Sequence, residues 1–200
     1  MTTRASAPGT PLAERLRLFF AIWPPEPAAR ALHGWAIATQ ATVGGRAIAA
    51  ANVHVTLAFL GHVPAEKLEH AIAAGRRVSG ERTALLLTEA RYWPRSHIVW
   101  VAPKTTPAPL ATLAADLHRE LAALGFALDE RELVAHVTLL RDVTRLRGLP
   151  DLPEVEWPIT EFVLARSTTA AAGSVYTILE RFPLGYTCAL RENNDFGESR

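Results

Sequence analysis

The tetrapeptide His-Val-Thr-Leu stands twice in this chain, at His54–Leu57 within NVHVTLAFLG and at His136–Leu139 within VAHVTLLRD. The β-branched valine and threonine in both runs favour an extended backbone, and side chains then alternate between the two faces of the strand. His54 and Thr56 share one face, opposite Val53, Val55 and Leu57; His136 and Thr138 share one face, opposite Val137 and Leu139. The aliphatic face has to be buried, so each copy needs a layer beneath it. The repeat therefore predicts two related lobes, each with a half-covered strand that carries a polar stripe.

The intervening patterns agree. Arg15–Trp23 reads as a strand closed by Pro24 and Pro25. Glu26 to about Thr42 has helical spacing and stops at Gly44-Gly45. A second helix runs over Pro64–Val78, with Pro64 in its first turn. Thr83–Trp93 and His97–Pro103 read as two strands around the turn Pro94–Ser96. Leu110, Leu113, Leu117, Leu121 and Leu124 mark the clearest helix, over 107–125 with Gly125 as its stop. Residues 146–153 form a proline-rich connector, and Ile159–Ser167 and Val175–Leu184 close the fold as strands. No linker separates the halves. The reading is α+β, with two pseudo-symmetric lobes. One bilobal domain is expected over 15–184, between a disordered lead-in at 1–14 and a tail at 185–200.

Composition removes several classes of function. The 200 residues carry a net charge of +1, so the broad basic surface that coats nucleic acid nonspecifically is missing. Arginine outnumbers lysine heavily, Lys67 and Lys104 being the only lysines. Cys188 is the only cysteine, which excludes an intrachain disulfide and a cysteine-rich zinc site. No apolar run approaches the length of a membrane span, and the short patch after Arg15 and Arg17 reads as a core strand and not as a signal peptide. A cytoplasmic monomer with no membrane partner is expected.

Two imidazoles and two hydroxyls converging on one volume suit proton transfer at both ends of a displacement at phosphorus. One histidine accepts a proton, the other donates one, and threonine hydroxyls hold phosphate oxygens without adding charge. That chemistry needs no metal or other cofactor. Zinc is the rival, but two histidines supply half a usual ligand set and neither copy has a cysteine or carboxylate at ligand spacing. A serine hydrolase lacks its Gly-x-Ser-x-Gly turn.

The paired His-x-Thr motifs, with RLRLFFAI near the start, IVWV in the middle and ITEFVLARS and YTILERF near the end, resemble the 2H phosphoesterase superfamily. Within it they are similar to the RNA 2′,3′-cyclic phosphodiesterases, also called 2′-5′ RNA ligases. The resemblance covers about residues 15 to 184. It implies two pseudo-symmetric lobes, each an antiparallel sheet with helices on the outer face and an active-site cleft between them, and metal-free hydrolysis there of an RNA 2′,3′-cyclic phosphate to a 2′-phosphate. His54 and His136 become the proton-transfer pair, with His54 as base and His136 as acid. Thr56 and Thr138 become phosphate clamps. Arg141 falls where the resemblance places an arginine for the phosphate, yet strand parity sets it on the face opposite His136, so the strand has to end or twist before it. The partners implied are RNA ends or cyclic nucleotides. A small cyclic nucleotide or an ADP-ribose cyclic phosphate is the alternative substrate, and a non-catalytic module that holds RNA ends is the alternative class.

Among the other aromatics, Trp93 and Tyr92 near the hairpin are candidates to stack on a base, whereas Trp100 shares the core register of its strand. Arg95 and Ser96 read as a solvated turn and His62 as loop. His33, His70 and His118 read as surface or edge positions on helices, and His97 has no functional reading.

Overall fold

The first apolar run forms β1 (Arg15–Ile22), whose burial rises from one end to the other as it enters the core. A computed structural model describes residues 14–185, apart from 130, 145, 147, 171 and 172. The expected lead-in, except Glu14, and the expected tail, except Gly185, lie outside the described residues, as does Cys188.

Among the described residues, three helices and ten strands follow one another. α1 (Glu26–Val43) begins with proline in its first turn and ends at Gly44, where φ is 73°. β2 (Arg46–Ala47) and a 3₁₀ turn at Ala50–Asn52 lead into β3 (Val55–Pro64). α2 (Leu68–Arg77) starts later than its sequence pattern indicates, because Pro64 still belongs to β3 and Ala65–Lys67 make a 3₁₀ turn. Thr83–Trp93 is not one strand. It splits at Thr88 into β4 (Thr83–Leu87) and β5 (Glu89–Trp93), which join different sheets. β6 (Ile98–Ala102), α3 (Ala108–Ala123) and β7 (Val137–Arg141) follow. Directly after the proline-rich connector comes a strand that the sequence reading passes over, β8 (Val155–Ile159), which takes Ile159 from the strand expected to follow. Its inward residues Val155, Trp157 and Ile159 alternate with exposed Glu156 and Pro158. Pro158 lacks an N–H but fits because, among the described residues, β8 pairs only with β4. β9 (Glu161–Ala170) and β10 (Gly173–Pro183) end the fold.

Two four-stranded antiparallel sheets carry the two motifs. One has the order β10-β9-β1-β3, the other β2-β7-β6-β5, and β4-β8 form a separate ribbon. The lobes are therefore not halves of the chain, as the position of the repeat suggests: the sheet of His54 takes its strands from both ends, and the sheet of His136 from the middle. The helices cross over as well. α1 follows β1 but packs on β2, β7 and β8, whereas α3 follows β6 but packs on β3 and α2. One contiguous cluster of buried side chains, from Leu18 and Val55 to Val99, Val137 and Leu139, runs through both sheets. A smaller cluster of Phe19, Ala21, Val163 and Ala165 lies on the other face of the first sheet, with Trp23, Tyr176 and Ile178 against it.

Each motif strand carries an irregularity at the same place. On β3, Thr56 opposes Ala21 and Ala58 opposes Phe20, so Leu57 is an extra residue. On β7, Thr138 opposes Trp100 and Leu140 opposes Val99, so Leu139 is extra. Such a bulge places two consecutive side chains on the same side and resets the alternation beyond it. Leu57 with Ala58, and Leu139 with Leu140, are accordingly all buried. The freed carbonyls find donors: the Ile48 N–H donates to Leu139 O at 2.8 Å, and His118 Nε2 donates to Leu57 O at 3.0 Å. His118, half-buried at the edge of the buried face of α3, is thus also a structural contact to β3.

β2 lies on β7 through a close approach that only glycine permits. Gly45 has φ 81°, and a Cβ there would stand 2.6 Å from Arg141 O and 2.7 Å from Val143 Cγ2. Gly45→Ala is expected to lower unfolding free energy by about 1–3 kcal/mol, read as a lower urea midpoint at unchanged slope.

Candidate active site

His54 and His136 each immediately precede the first paired residue of their strand, and each is locked by the same local bond. His54 Nδ1 lies 2.7 Å from Asn52 O, and His136 Nδ1 lies 2.8 Å from Val134 O. A carbonyl only accepts, so Nδ1 carries the hydrogen in both rings and Nε2 is left as the working atom. In each copy the anchoring carbonyl belongs to the residue two before the histidine. The extended backbone then turns the threonine two residues later onto the same face.

Both rings and both threonines line one cleft of about 680 Å³. Arg141 lines it too, and the bulge at Leu139 explains how. The strand neither ends nor turns away before Arg141, as parity alone requires; it continues through Arg141 with its alternation reset, which returns the guanidinium to the face of Thr138. The five residues named from sequence, His54, Thr56, His136, Thr138 and Arg141, thus meet around one space. The same space is lined by Arg17, Arg46, Asn52, Phe59 and Tyr176, which the sequence reading did not single out. Arg17 donates to Ser167 Oγ at 2.9 Å. Arg46 opposes Arg141 across β2–β7 and lies 3.6 Å from Asp142, an exposed pair of little energetic weight. No carboxylate lines the cleft among the described residues, so three guanidiniums give it a positive field suited to an anion.

The two imidazoles sit in different surroundings. His54 is enclosed by Trp23, stacked at 5.2 Å and 15°, and by Phe19 and Tyr176, each with ring centroids 5.2 Å away. Trp23 is itself held by its indole N–H, which donates to Ala51 O at 3.1 Å. Burial among these rings pushes the His54 imidazole from 6.5 down to about 4; the bond to Asn52 opposes the shift, and His136 and Arg141 add to it. His54 is therefore neutral near pH 7, with a lone pair on Nε2. His136 is flanked by Trp93 at 4.9 Å and Trp100 at 5.8 Å, both edge-on.

Trp93 packs against His136 and Trp100 and is not among the residues lining the cleft, and Trp100 is buried as its register predicts. The Tyr92 hydroxyl donates to Val143 O at 2.6 Å, and His97, with φ 55°, lies 3.2 Å from both. Those two residues brace the segment after β7. Arg95, Ser96, His62 and His70 are exposed and are not among the residues lining the cleft, and His62 lies on β3 opposite Arg17 and not in a loop. His33 reaches Ile48 O at 3.0 Å. Among the described residues, no group of three or more His, Cys, Asp or Glu is placed to hold a metal ion, and no helix is long and apolar enough to cross a membrane.

Removing the stacked indole admits water beside His54. In Trp23→Ala the His54 imidazole is expected to titrate well above its wild-type value of about 4, moving towards 6.5 because the neutral form is no longer favoured by burial. Ring-proton NMR measures this, and an unmoved titration would leave desolvation by Trp23 without effect.

The comparisons with known proteins bear on this geometry. Residues 22–100 match the model of the family described as LigT like Phosphoesterase. The RNA 2′,3′-cyclic phosphodiesterase of Escherichia coli is 35% identical over 175 residues, spanning 86% of this chain and 99% of that one. Its Thermus thermophilus counterpart is 30% identical over 182 residues, spanning 84% and 90%. The crystal structure of E. coli LigT complexed with 3′-AMP superposes with a TM-score of 0.80 at 35% identity, over 86% of this chain and 99% of that chain. With this overlap of sequence and fold around the doubled His-x-Thr strands, the chain belongs to the LigT-like phosphoesterases of the 2H superfamily.

Proposed function

We propose that this protein opens 2′,3′-cyclic phosphates at RNA ends to 2′-phosphates, without a metal, using His54 as base and His136 as acid. The observation that carries the reading is the pair of identically anchored imidazoles, both presenting Nε2 to one cationic cleft. Two relatives with the same name support the substrate class, and E. coli LigT has been solved with 3′-AMP, ATP and NADP+.

In the reaction, His54 Nε2 takes a proton from water as the oxygen attacks phosphorus. The P–O3′ bond breaks in line, and His136 Nε2, protonated beforehand, gives its proton to O3′. The product has a free 3′-hydroxyl and a 2′-phosphate, and proton exchange with solvent resets both rings. Thr56 and Thr138 donate to the non-bridging oxygens, and Arg141 balances charge as it accumulates there. A base titrating near 4 is always in its active form at neutral pH but accepts a proton weakly. Bound phosphate corrects this, because a nearby anion favours the His54 imidazolium. The acid limb of kcat/KM is therefore expected near pH 4, the value of the free protein, and that of kcat at higher pH. Coincident limbs would contradict this account.

The decisive assay uses an RNA ending in a 2′,3′-cyclic phosphate, in EDTA. Retained turnover with a 2′-phosphate product is expected. His54→Ala and His136→Ala should each lose about 10²–10⁴-fold in rate with the fold intact. A folded double-histidine variant that still turns over would defeat the scheme. Activity lost in EDTA and restored by zinc would replace it with metal chemistry, and tight binding without turnover by the wild type would favour an RNA-end-binding module. Comparing a cyclic mononucleotide and an ADP-ribose cyclic phosphate with the RNA separates the substrate classes. Residues 15–184 are proposed as the whole catalytic unit, so a protein trimmed to them should retain kcat within about two-fold, a change equivalent to under half a kcal/mol.

A further inference from the structure

A backbone carbonyl can fix an imidazole only if its own segment is fixed. For His54 that segment is the single 3₁₀ turn Ala50–Asn52, too short and too poorly bonded internally to be rigid by itself. Asn52 supplies the carbonyl that accepts from His54 Nδ1 at 2.7 Å. The side chain of the same residue reaches away from the turn: its Nδ2 donates to Ser174 O of β10, also at 2.7 Å. A carbonyl only accepts, so the amide nitrogen and not the amide oxygen faces β10.

The neighbouring bonds act on the same ring. Tyr176, two residues beyond Ser174 on β10, sets its ring 5.2 Å from that of His54 at 85°. The carbonyl before that of Asn52, on Ala51, accepts from the Trp23 indole at 3.1 Å, and Trp23 stacks on His54. The turn thus ties two of the rings that enclose His54 to the carbonyl that orients it. The second copy is supported in another way. Val134 supplies the carbonyl for His136, and its side chain is apolar and 60% exposed. There it is the next residue, Ala135, whose N–H donates to Thr106 Oγ1 at 3.2 Å.

We propose that Asn52 is the positioning residue of His54: through its tie to Ser174 it holds the carbonyl that keeps the imidazole in the Nδ1–H tautomer, with the Nε2 lone pair in the cleft. Without the tie the turn is released, and a neutral ring that loses its acceptor can carry its hydrogen on Nε2, where no lone pair is left to take a proton from water. Asn52 acts through His54 and not on the reacting atoms. The assignment rests on the reading under Proposed function for the use made of that lone pair, but not for the tautomer itself.

The test uses the full chain, ¹⁵N-labelled, as wild type, Asn52→Ala and Asn52→Leu, the last keeping most of the side chain's bulk without a donor or a charge. Long-range proton–nitrogen spectra of the imidazoles near pH 7, where His54 is neutral, report which ring nitrogen carries hydrogen. Wild type should show Nδ1–H at His54. Both variants should populate the Nε2–H form of His54 and leave His136 as it was. With 2′,3′-cyclic AMP, kcat should fall about ten-fold or more while KM stays within about two-fold, because a wrong tautomer weakens proton transfer and not binding. Calorimetric binding of inorganic phosphate should be equal in the three proteins. A His54 tautomer that is the same in all three would overturn the proposal. So would a change shared by both histidines, which marks general loosening, or a loss confined to KM and phosphate binding, which makes Asn52 a substrate contact. If the tautomer shifts but kcat does not, or if wild type does not open the cyclic substrate, the positioning stands and the reading of His54 as base falls.

Discussion

The extra residue after each motif threonine is the constraint on which the site depends. Regular alternation allows a strand to offer His, Thr and the next alternate residue to one side, with everything between buried. By seating Leu57 with Ala58, and Leu139 with Leu140, in the core, the bulges anchor each strand more deeply and return Phe59 and Arg141 to the cleft. The unpaired carbonyls this creates are satisfied from other elements, by Ile48 in one lobe and His118 in the other. The distortion is therefore built into the packing of both lobes and is not a local irregularity of one strand.

The second layer of organisation is a near-symmetry that is broken chemically. Both imidazoles are held at Nδ1 by the carbonyl two residues back, and both present Nε2. Their surroundings diverge. His54 is stacked on Trp23 and closed in by Phe19 and Tyr176, which disfavours its charged form; His136 meets Trp93 and Trp100 edge-on. Two groups of identical type thus meet unlike surroundings, and burial holds the His54 imidazole neutral near pH 7.

The architecture explains why two strands distant in sequence meet. β3 is an edge strand of a sheet assembled from both ends of the chain, and β7 lies inside a sheet assembled from the middle. Each of α1 and α3 crosses to the other lobe, so one buried cluster serves both sheets and holds the cleft walls against the same interior. The Gly45 approach to Arg141 and Val143 seats the two-residue β2 beside β7 and brings Arg46 to the rim.

Much of this was legible in the amino-acid order. The doubled HVTL named the two histidines and threonines, and alternation assigned their shared face, because a period of two is a property of the extended backbone itself. The helix stops at Gly44 and Gly125 were equally local. Other features depended on contacts between distant segments. Thr83–Trp93 has one continuous β pattern, yet its two parts pair with partners from different sheets; β8 was masked by Glu156 and Pro158 until β4 supplied an edge. The return of Arg141 to the cleft, the exposure of Phe59 and the aromatic enclosure of His54 follow from register across β1–β3 and β6–β7. Register is a relation between strands, and no single stretch of sequence contains it.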